Sequence, residues 1–566
     1  MVRLVILALL VALAATACGP AAPNRPEGSG GQSSAAAPSA PQKPIVIAFA
    51  TEPTSMEPSF GAGTGNRDFS ALTSAFLAYL TPEQRPMPFL AEELPTVEKG
   101  TWKIFPDGRM ETTYRLRANA KWHDGAPINA GDFVFAYQMH LDPAMPTTKI
   151  DVDRLMSSVR AIDDRTLFIE WKEPYLWAGM IYPPNFSPLP RHLLEDMYTT
   201  NKAAFVDGPH WREGWVGSGP YRIENWEPGI GITFRAHDGF ALGKPATDLI
   251  VMKFITDPNT IVANLLAGTA DVAFHSSIAF TQNQALEQAG WGGTTEYWRG
   301  NPRWIEYQQR DWGNIQRAVL DIRVRKALIH AIDRSAIIEG IYAGRSQVMH
   351  FWLSLEDPAY PAVDRAVTKY EYDVSRAEAL LRDAGWIKGA DGLARNATGE
   401  ALSMSMLNQS GEIDELEGAA IANNWKTIGV SSEVQRLSRQ QQTDGEFRSK
   451  FPGAFFDRRT LGYDTMGWLS TKIASLETRW SGDNRIGYTN PVLERLWPKV
   501  LATIDTKERE AILVETLTAM SADAVVNPIH FQPRAVAYRS GLIGPQQSWV
   551  AEAALIWNIR EWRWSL

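Results

Sequence analysis

From residue 45 to the C-terminus, strand-like and helix-like stretches interleave, and no segment repeats. Helices distributed this way must cover the faces of sheets, so the pattern predicts layered α/β architecture and excludes a barrel or a helical solenoid. "PIVIAFATEPTSMEPSF" opens with a buried-type strand over 45–50 and a Pro-containing loop. "GRMETTYRLRANAKWHDG" and "RTLFIEWKEP" alternate apolar and polar residues as half-buried strands do. "DFVFAYQMHL" predicts a helix with Asp132 in its first turn, where a carboxylate meets the positive helix end. "GSGPYRIENWEPGIGITFRAHD" reads as strand, turn, strand, and "DPNTIVANLLAGTADVAF" as a helix stopped at Gly268, then a strand.

The second half is more helical. "DIRVRKALIHAIDRSAIIEGIYAG" spaces Val324, Leu328, Ile332, Ile337 and Ile341 as one apolar helix face ending at Gly344. "DVSRAEALLRDAGW" starts at an Asp or Ser cap and stops at Gly385. Two helices are expected within 490–524, the first bent or interrupted at Pro498. Separate strands are expected around "NPIHFQP", "AVAYRSGL" and "WNIREWRWS".

At 566 residues the chain exceeds one core, and two or three domains are expected. The net charge is −8 and no basic run occurs, which argues against a nucleic-acid partner. The 21 Trp belong mostly to cores, with some left to line a cleft.

Residues 1–17 form an apolar run after Arg3, too short for the ~20 residues that span a bilayer, and read as a signal peptide. Cys18, the sole cysteine, follows small residues and resembles a bacterial lipobox with Ala15 in place of the usual Leu. Lipidation of Cys18 would anchor the chain to a membrane; the alternative is a free thiol in an uncleaved anchor. One cysteine permits no intrachain disulfide. Residues 18–44, rich in Gly, Pro, Ala and Ser, form a flexible tether.

Catalytic signatures are missing from the sequence. There is no HExxH, no GxSxG and no paired CxxC, so neither a metal nor a cofactor is expected. "GFALGKP" imitates a phosphate loop with too few residues between its glycines. A carboxylate pair for hydrolysis has no local signature, and leaves a secreted hydrolase as a rival reading. A structural or chaperone-like surface protein is a further one. His123–Asp124 reads as a turn, with Asp124 bonding a backbone N–H two residues on, Gly125 at positive φ and Pro127 stiffening the exit.

Six ordered blocks then carry a resemblance. "LRANAKWHDGAPINAGDFVFAYQ", "GSGPYRIENWEPG", "DPNTIVANLLAGTADV", "DIRVRKALIHAIDRSAIIEGIYAG", "DVSRAEALLRDAGW" with "DGLAR", and "GYTNPVLERL" through "NPIHFQPRAVAYRSGL" to "WNIREW" are together similar to the extracytoplasmic solute-binding proteins of ABC importers, family 5, the peptide- and nickel-binding group. The resemblance implies a two-lobed periplasmic-binding fold of type II with an extra domain in the first lobe. Lobe I would comprise 45–88, 214–298 and 530–566, the extra domain 89–213, and lobe II 299–529. It implies a non-enzymatic monomer, lipid-anchored in the periplasm or on the outer face of the cytoplasmic membrane, that hands a small solute to a permease and ATPase complex. A short peptide is the expected ligand and an oligosaccharide the alternative.

Three segments would meet across the ligand. The loop after the first strand carries Glu52, and "RWIEYQQRD" carries Trp304 and Tyr307. "FPGAFFDRRTLGYDTMGWLS" carries Asp457, Arg458, Arg459, Tyr463 and Trp468. Peptide binders of the family often hold the α-amino group on an Asp in this last loop. The usual Asp-Tyr-x-Asp-Pro pattern is absent here, so Asp457 and Asp464 remain alternatives, and Arg458 and Arg459 could instead meet an anion.

Overall fold

The computed structural model describes residues 43–57, 66–81, 85–146, 151–181, 186–438, 440–458, 467–547 and 555–565. Cys18, Arg459, Tyr463 and Asp464 lie outside the described residues, as do the signal peptide and nearly all of the tether.

Strand β1 (Ile45–Phe49) opens the folded part. Strands β2 (Trp102–Ile104), β3 (Met110–Arg115), β4 (Met156–Asp163) and β5 (Thr166–Trp171) make a separate sheet in the order β2-β3-β5-β4. Burial alternates strictly along β5, as a strand with one face on a core requires. Helix α1 (Ala130–Leu141) packs against β4. Its Asp132 accepts from the Asn129 N–H (2.8 Å) and the Trp122 indole (3.2 Å), fixing the helix start where the sequence places it.

Nine further strands form, with β1, a ten-stranded sheet among the described residues. They are β6 (Tyr221–Glu227), β7 (Gly231–Ala236), β8 (Leu249–Phe254), β9 (Val272–Phe274), β10 (Thr294–Tyr307), β11 (Ser403–Asn408), β12 (Ser431–Arg436), β13 (Ala454–Arg458) and β14 (Val526–Tyr538). Their spatial order is β12-β11-β13-β10-β14-β9-β1-β8-β7-β6. Helices α2 (Pro258–Ala267), α3 (Phe280–Gln288), α4 (Ile322–His330), α5 (Arg334–Tyr342), α6 (Val374–Asp383), α7 (Glu412–Thr427), α8 (Pro491–Ala502) and α9 (Thr506–Asp523) complete the layers.

The two longest strands, β10 and β14, pair antiparallel and divide the core. Their lower halves, with Trp298, Ala535, Val536 and Ala537, join cores built from β1, β9, α2 and the residues around β3–β5. Their upper halves, with Trp304, Ile305, Tyr307, Val526, Ile529 and Phe531, join two other cores built on α4, α7, α8 and α9. Two bodies of core thus share one ribbon, and the fold is two-lobed.

Three expectations are corrected. The single helix expected over 321–344 is two helices, because Asp333 caps a new first turn by accepting from the Ala336 N–H (2.8 Å). The strands expected around "NPIHFQP" and "AVAYRSGL" are one, β14, which tolerates Pro528 and Pro533 at breaks in its ladder with β10, where no donor is needed. "WNIREWRWS" is mostly a 3-10 turn (Ile559–Glu561), with a two-residue strand at Arg563–Trp564. Helix α8 continues past Pro498.

Candidate ligand-binding site

Strand register brings four strand ends to one place. β1 and β9 run parallel, with Ala48 beside Ala273. Phe274 at the end of β9 lies opposite Val536, which lies opposite Glu296 on β10. From the other lobe, Arg458 at the end of β13 lies opposite Arg303, and Asn408 at the end of β11 lies beside Phe456. β1 and β9 therefore leave the first lobe toward the middle of the ribbon, and β11 and β13 leave the second toward the same middle. Ligands of open α/β sheets sit outside the carboxyl ends of strands, where connections diverge.

The middle of the ribbon is irregular. Arg299 pairs with Pro533, and the next pair is Pro302 with Phe531, so Gly300 and Asn301 drop out of the ladder. A Cβ at Gly300 would stand 2.3 Å from the Gln532 carbonyl oxygen, so a side chain there would break the close approach. Arg534 donates to Asn301 Oδ1 (2.6 Å) across this gap. Two recesses of about 510 and 230 Å³ border the ribbon, both lined by Tyr297, Trp298, Arg345 and Gln547.

The residues nominated from sequence divide into used and exposed. Glu52 accepts from the Trp226 indole (2.7 Å) and the Gly229 N–H (2.9 Å), with Arg212 at 3.5 Å, so it braces the β6–β7 turn. Trp304 and Tyr307 are fully buried. Trp304, Trp352 and Trp468 pack on one another, with ring centroids 4.3–5.8 Å apart, and the indoles of Trp304 and Trp468 both donate to Glu306. These aromatics form core, and in this structure they offer a ligand no face: both sides of β10 are covered over 302–307, Trp304 by one core and Tyr307 by another.

Asp457 is 1% exposed. Its Oδ1 accepts from Gln409 and from the Arg458 N–H (2.8 Å); its Oδ2 meets Arg448 (3.1 Å) and Arg485 (3.4 Å). Four donors fill the acceptor capacity of a carboxylate. Arg458 differs. Its side chain is 36% exposed, and Nη1 reaches both oxygens of Asp414 (3.1 and 3.2 Å).

Behind Arg458 lies a buried ion cluster. Arg303 Nη2 stands 3.0 Å from Asp414 and 2.7 Å from Glu417, and Glu417 accepts from Tyr342 (2.8 Å) and meets His530 (2.6 Å). Burial alone would raise the Glu417 carboxyl, but Arg303 and His530 outweigh it and hold it at about 2. Burial of Asp414 wins over its arginines and pushes that carboxyl up.

Sequence reasoning missed His275, Ser276 and Gln409, each within two residues of the end of β9 or β11. The available signal was position just past a strand end. His275 Nδ1 and Ser276 Oγ are buried without a hydrogen-bond partner. Burial, with Arg534 nearby, drives the His275 imidazole well below its usual range, so the ring is neutral. His123 is confirmed as structural: its Nδ1 accepts from the Gly217 N–H (3.1 Å) and its Nε2 donates to the Gly219 carbonyl (3.2 Å). Asp124 accepts from the Ala126 N–H two residues on (3.0 Å), with Gly125 at φ +92°. Among the described residues no group of acidic, His or Cys side chains could hold a metal, and no helix is long and apolar enough to cross a membrane.

A family model described as bacterial extracellular solute-binding proteins, family 5 (middle), matches residues 86–472. The chain belongs to this family. Among relatives, it is 25% identical over 473 residues to the oligopeptide-binding protein AppA of Bacillus subtilis, covering 82% of this chain and 81% of that one. It is 27% identical over 483 residues to protein XP55 of Streptomyces lividans, covering 85% and 82%. Among solved structures, Bacillus subtilis AppA in complex with a nonapeptide superposes with TM-score 0.72 at 20% identity, over 93% of this chain and all of that one. The superposition shows the two-lobed fold for this family 5 member.

Proposed function

We propose that this protein is the solute-capturing component of an ABC importer and that it takes a short peptide between its lobes for delivery to a permease and ATPase complex. One observation carries the reading: four strand ends from two lobes converge on the irregular middle of a shared ribbon. Peptide as cargo is supported by relatives described as oligopeptide-binding, one of them solved with a nonapeptide and another, from Thermus thermophilus, with a pentapeptide. The binding cycle needs no chemistry. The lobes close on the solute, exclude water and reopen at the membrane, so the protein turns nothing over.

The reading carries its domain assignment with it: lobe I from 45–88, 214–298 and 530–566, an extra domain over 89–213, and lobe II over 299–529. It also carries an extracytoplasmic monomer held by lipid on Cys18 after loss of residues 1–17. An oligosaccharide cargo loses its main support, since the Trp residues nominated to stack on sugars are packed on each other. Mass spectrometry of co-purifying small molecules, followed by calorimetry with a mixed peptide pool and with oligosaccharides, tests the assignment. Heat with peptides is expected; heat from sugars alone overturns the peptide, and turnover of either overturns the binding protein.

A further inference from the structure

We infer that the cargo is anchored by an anionic group on Arg458, that its amino end is not held by Asp457, and that its neutral polar stretch lies against His275 and Ser276. The inference rests on the solute-binding reading above and specifies its ligand chemistry. Asp457 stands at the end of β13, where a carboxylate could receive an ammonium group. It is enclosed and its four acceptor positions are taken by Gln409, Arg448, Arg485 and the Arg458 N–H. An incoming ammonium would have to displace one of these donors, two of them already cationic.

Arg458, one residue further toward the middle of the ribbon, has the opposite character. Its partner is Asp414, which is itself shared with Arg303. Tying Nη1 to a fixed, buried carboxylate orients the guanidinium, while Nε and Nη2 keep their donors for a fork-like contact.

The first lobe supplies neutral groups. His275 Nδ1 and the Ser276 hydroxyl are buried and unpartnered just past the end of β9, and a buried polar group left alone costs about 1–3 kcal/mol. Both find partners in the amide groups of a bound solute. By register, His275 follows Phe274, which is level with Glu296, so it is level with Tyr297; Arg458 is level with Arg303. Along β14 those levels are Ala535 and His530, five residues apart, ~17 Å at ~3.3 Å per residue. That span suits a short extended peptide with its C-terminal carboxylate on Arg458.

The test is calorimetry of the full-length protein, freed of co-purified solute, with tetraalanine, its N-acetyl form, its C-terminal amide, and succinate as a non-peptide carboxylate. Acetylation should change affinity less than about threefold, whereas amidation should weaken it tenfold or more. Arg458→Gln should erase that difference and Arg458→Lys should retain part of it, with melting curves of both variants showing folded protein. Loss of binding on acetylation with none on amidation overturns the inference and leaves the peptide assignment standing. Binding of succinate that depends on Arg458, without binding of any peptide, upholds the anionic anchor and overturns the peptide. Failure of all four probes to bind overturns both.

Discussion

At His123, burial and the neighbouring His237 hold the imidazole down to about 3, and the neutral ring bridges the backbone at Gly217 and Gly219. A histidine that is harder to protonate when folded stabilises the protein above its unfolded value, ~6.5, and that contribution is lost as pH falls toward 3. His123→Ala should therefore lower stability by about 0.5–2 kcal/mol at neutral pH, with solute affinity little changed, and should flatten the melting-temperature slope between about pH 6.5 and 4. A large affinity loss at unchanged melting temperature would reinstate it as a site residue. Gly219 sets the other half of this junction: a Cβ there would stand 2.5 Å from the Leu72 carbonyl oxygen and the Ser74 nitrogen. Since backbone must move to admit it, Gly219→Ala should cost about 1–3 kcal/mol or more in denaturant unfolding. The HDG and GSGPY blocks are thus two sides of one joint, and sequence reading recovers the turn because its bonds are local. It does not recover the joint, because Gly217 is 94 residues from His123.

Among the elements, α5 and α7 clamp the ribbon through ions. Glu417 on α7 faces Arg303 on β10, His530 on β14 and Tyr342 on α5. Removing one member of a buried ion cluster leaves the rest uncompensated, so Glu417→Gln should destabilise by about 3–5 kcal/mol. Its lowered carboxyl also sets a pH window. The stability it contributes is complete above ~4.5 and is lost as pH falls through about 2, and the raised Asp414 carboxyl works in the opposite sense. Acid titration of Glu417→Gln should consequently show a shallower loss than the parent below about pH 4.5. Helix and strand types are largely legible in the sequence. Two exceptions stand out: Asp333, within a run of apolar residues at helical spacing, acts as a cap and not as a surface residue, and Ile559–Glu561, expected as strand, forms a 3-10 turn.

Across the molecule, the two lobes meet at places other than the ribbon. Glu287 on α3 pairs with Arg345 beyond α5, Arg345 lies over the Tyr297 ring (4.4 Å), and Phe280 packs edge-on against Tyr342. The exposed ion pair is worth at most about 1 kcal/mol, so Arg345→Ala should leave folding intact and increase the radius of gyration of the unliganded protein in solution scattering. Anchoring also concerns the whole chain. Cys18→Ala should release the protein from the membrane fraction, and full retention there would contradict lipidation.

The layered α/β class, the resemblance to family 5 and the turn at His123–Asp124 can all be read from the chain alone. Each rests on local periodicity, turn chemistry or ordered blocks, and local interactions survive without knowledge of the partner strand. Which nominated residues face the cleft is a matter of packing. Trp304 and Trp468 are natural candidates as aromatics near a ligand, yet they pack edge-on and tilted against Trp352 from a distant segment. Asp457 reads as a free acid, yet Arg448, Arg485 and Gln409 converge on it. Exposure and charge compensation depend on contacts between residues far apart in the chain, and a single sequence does not contain their register.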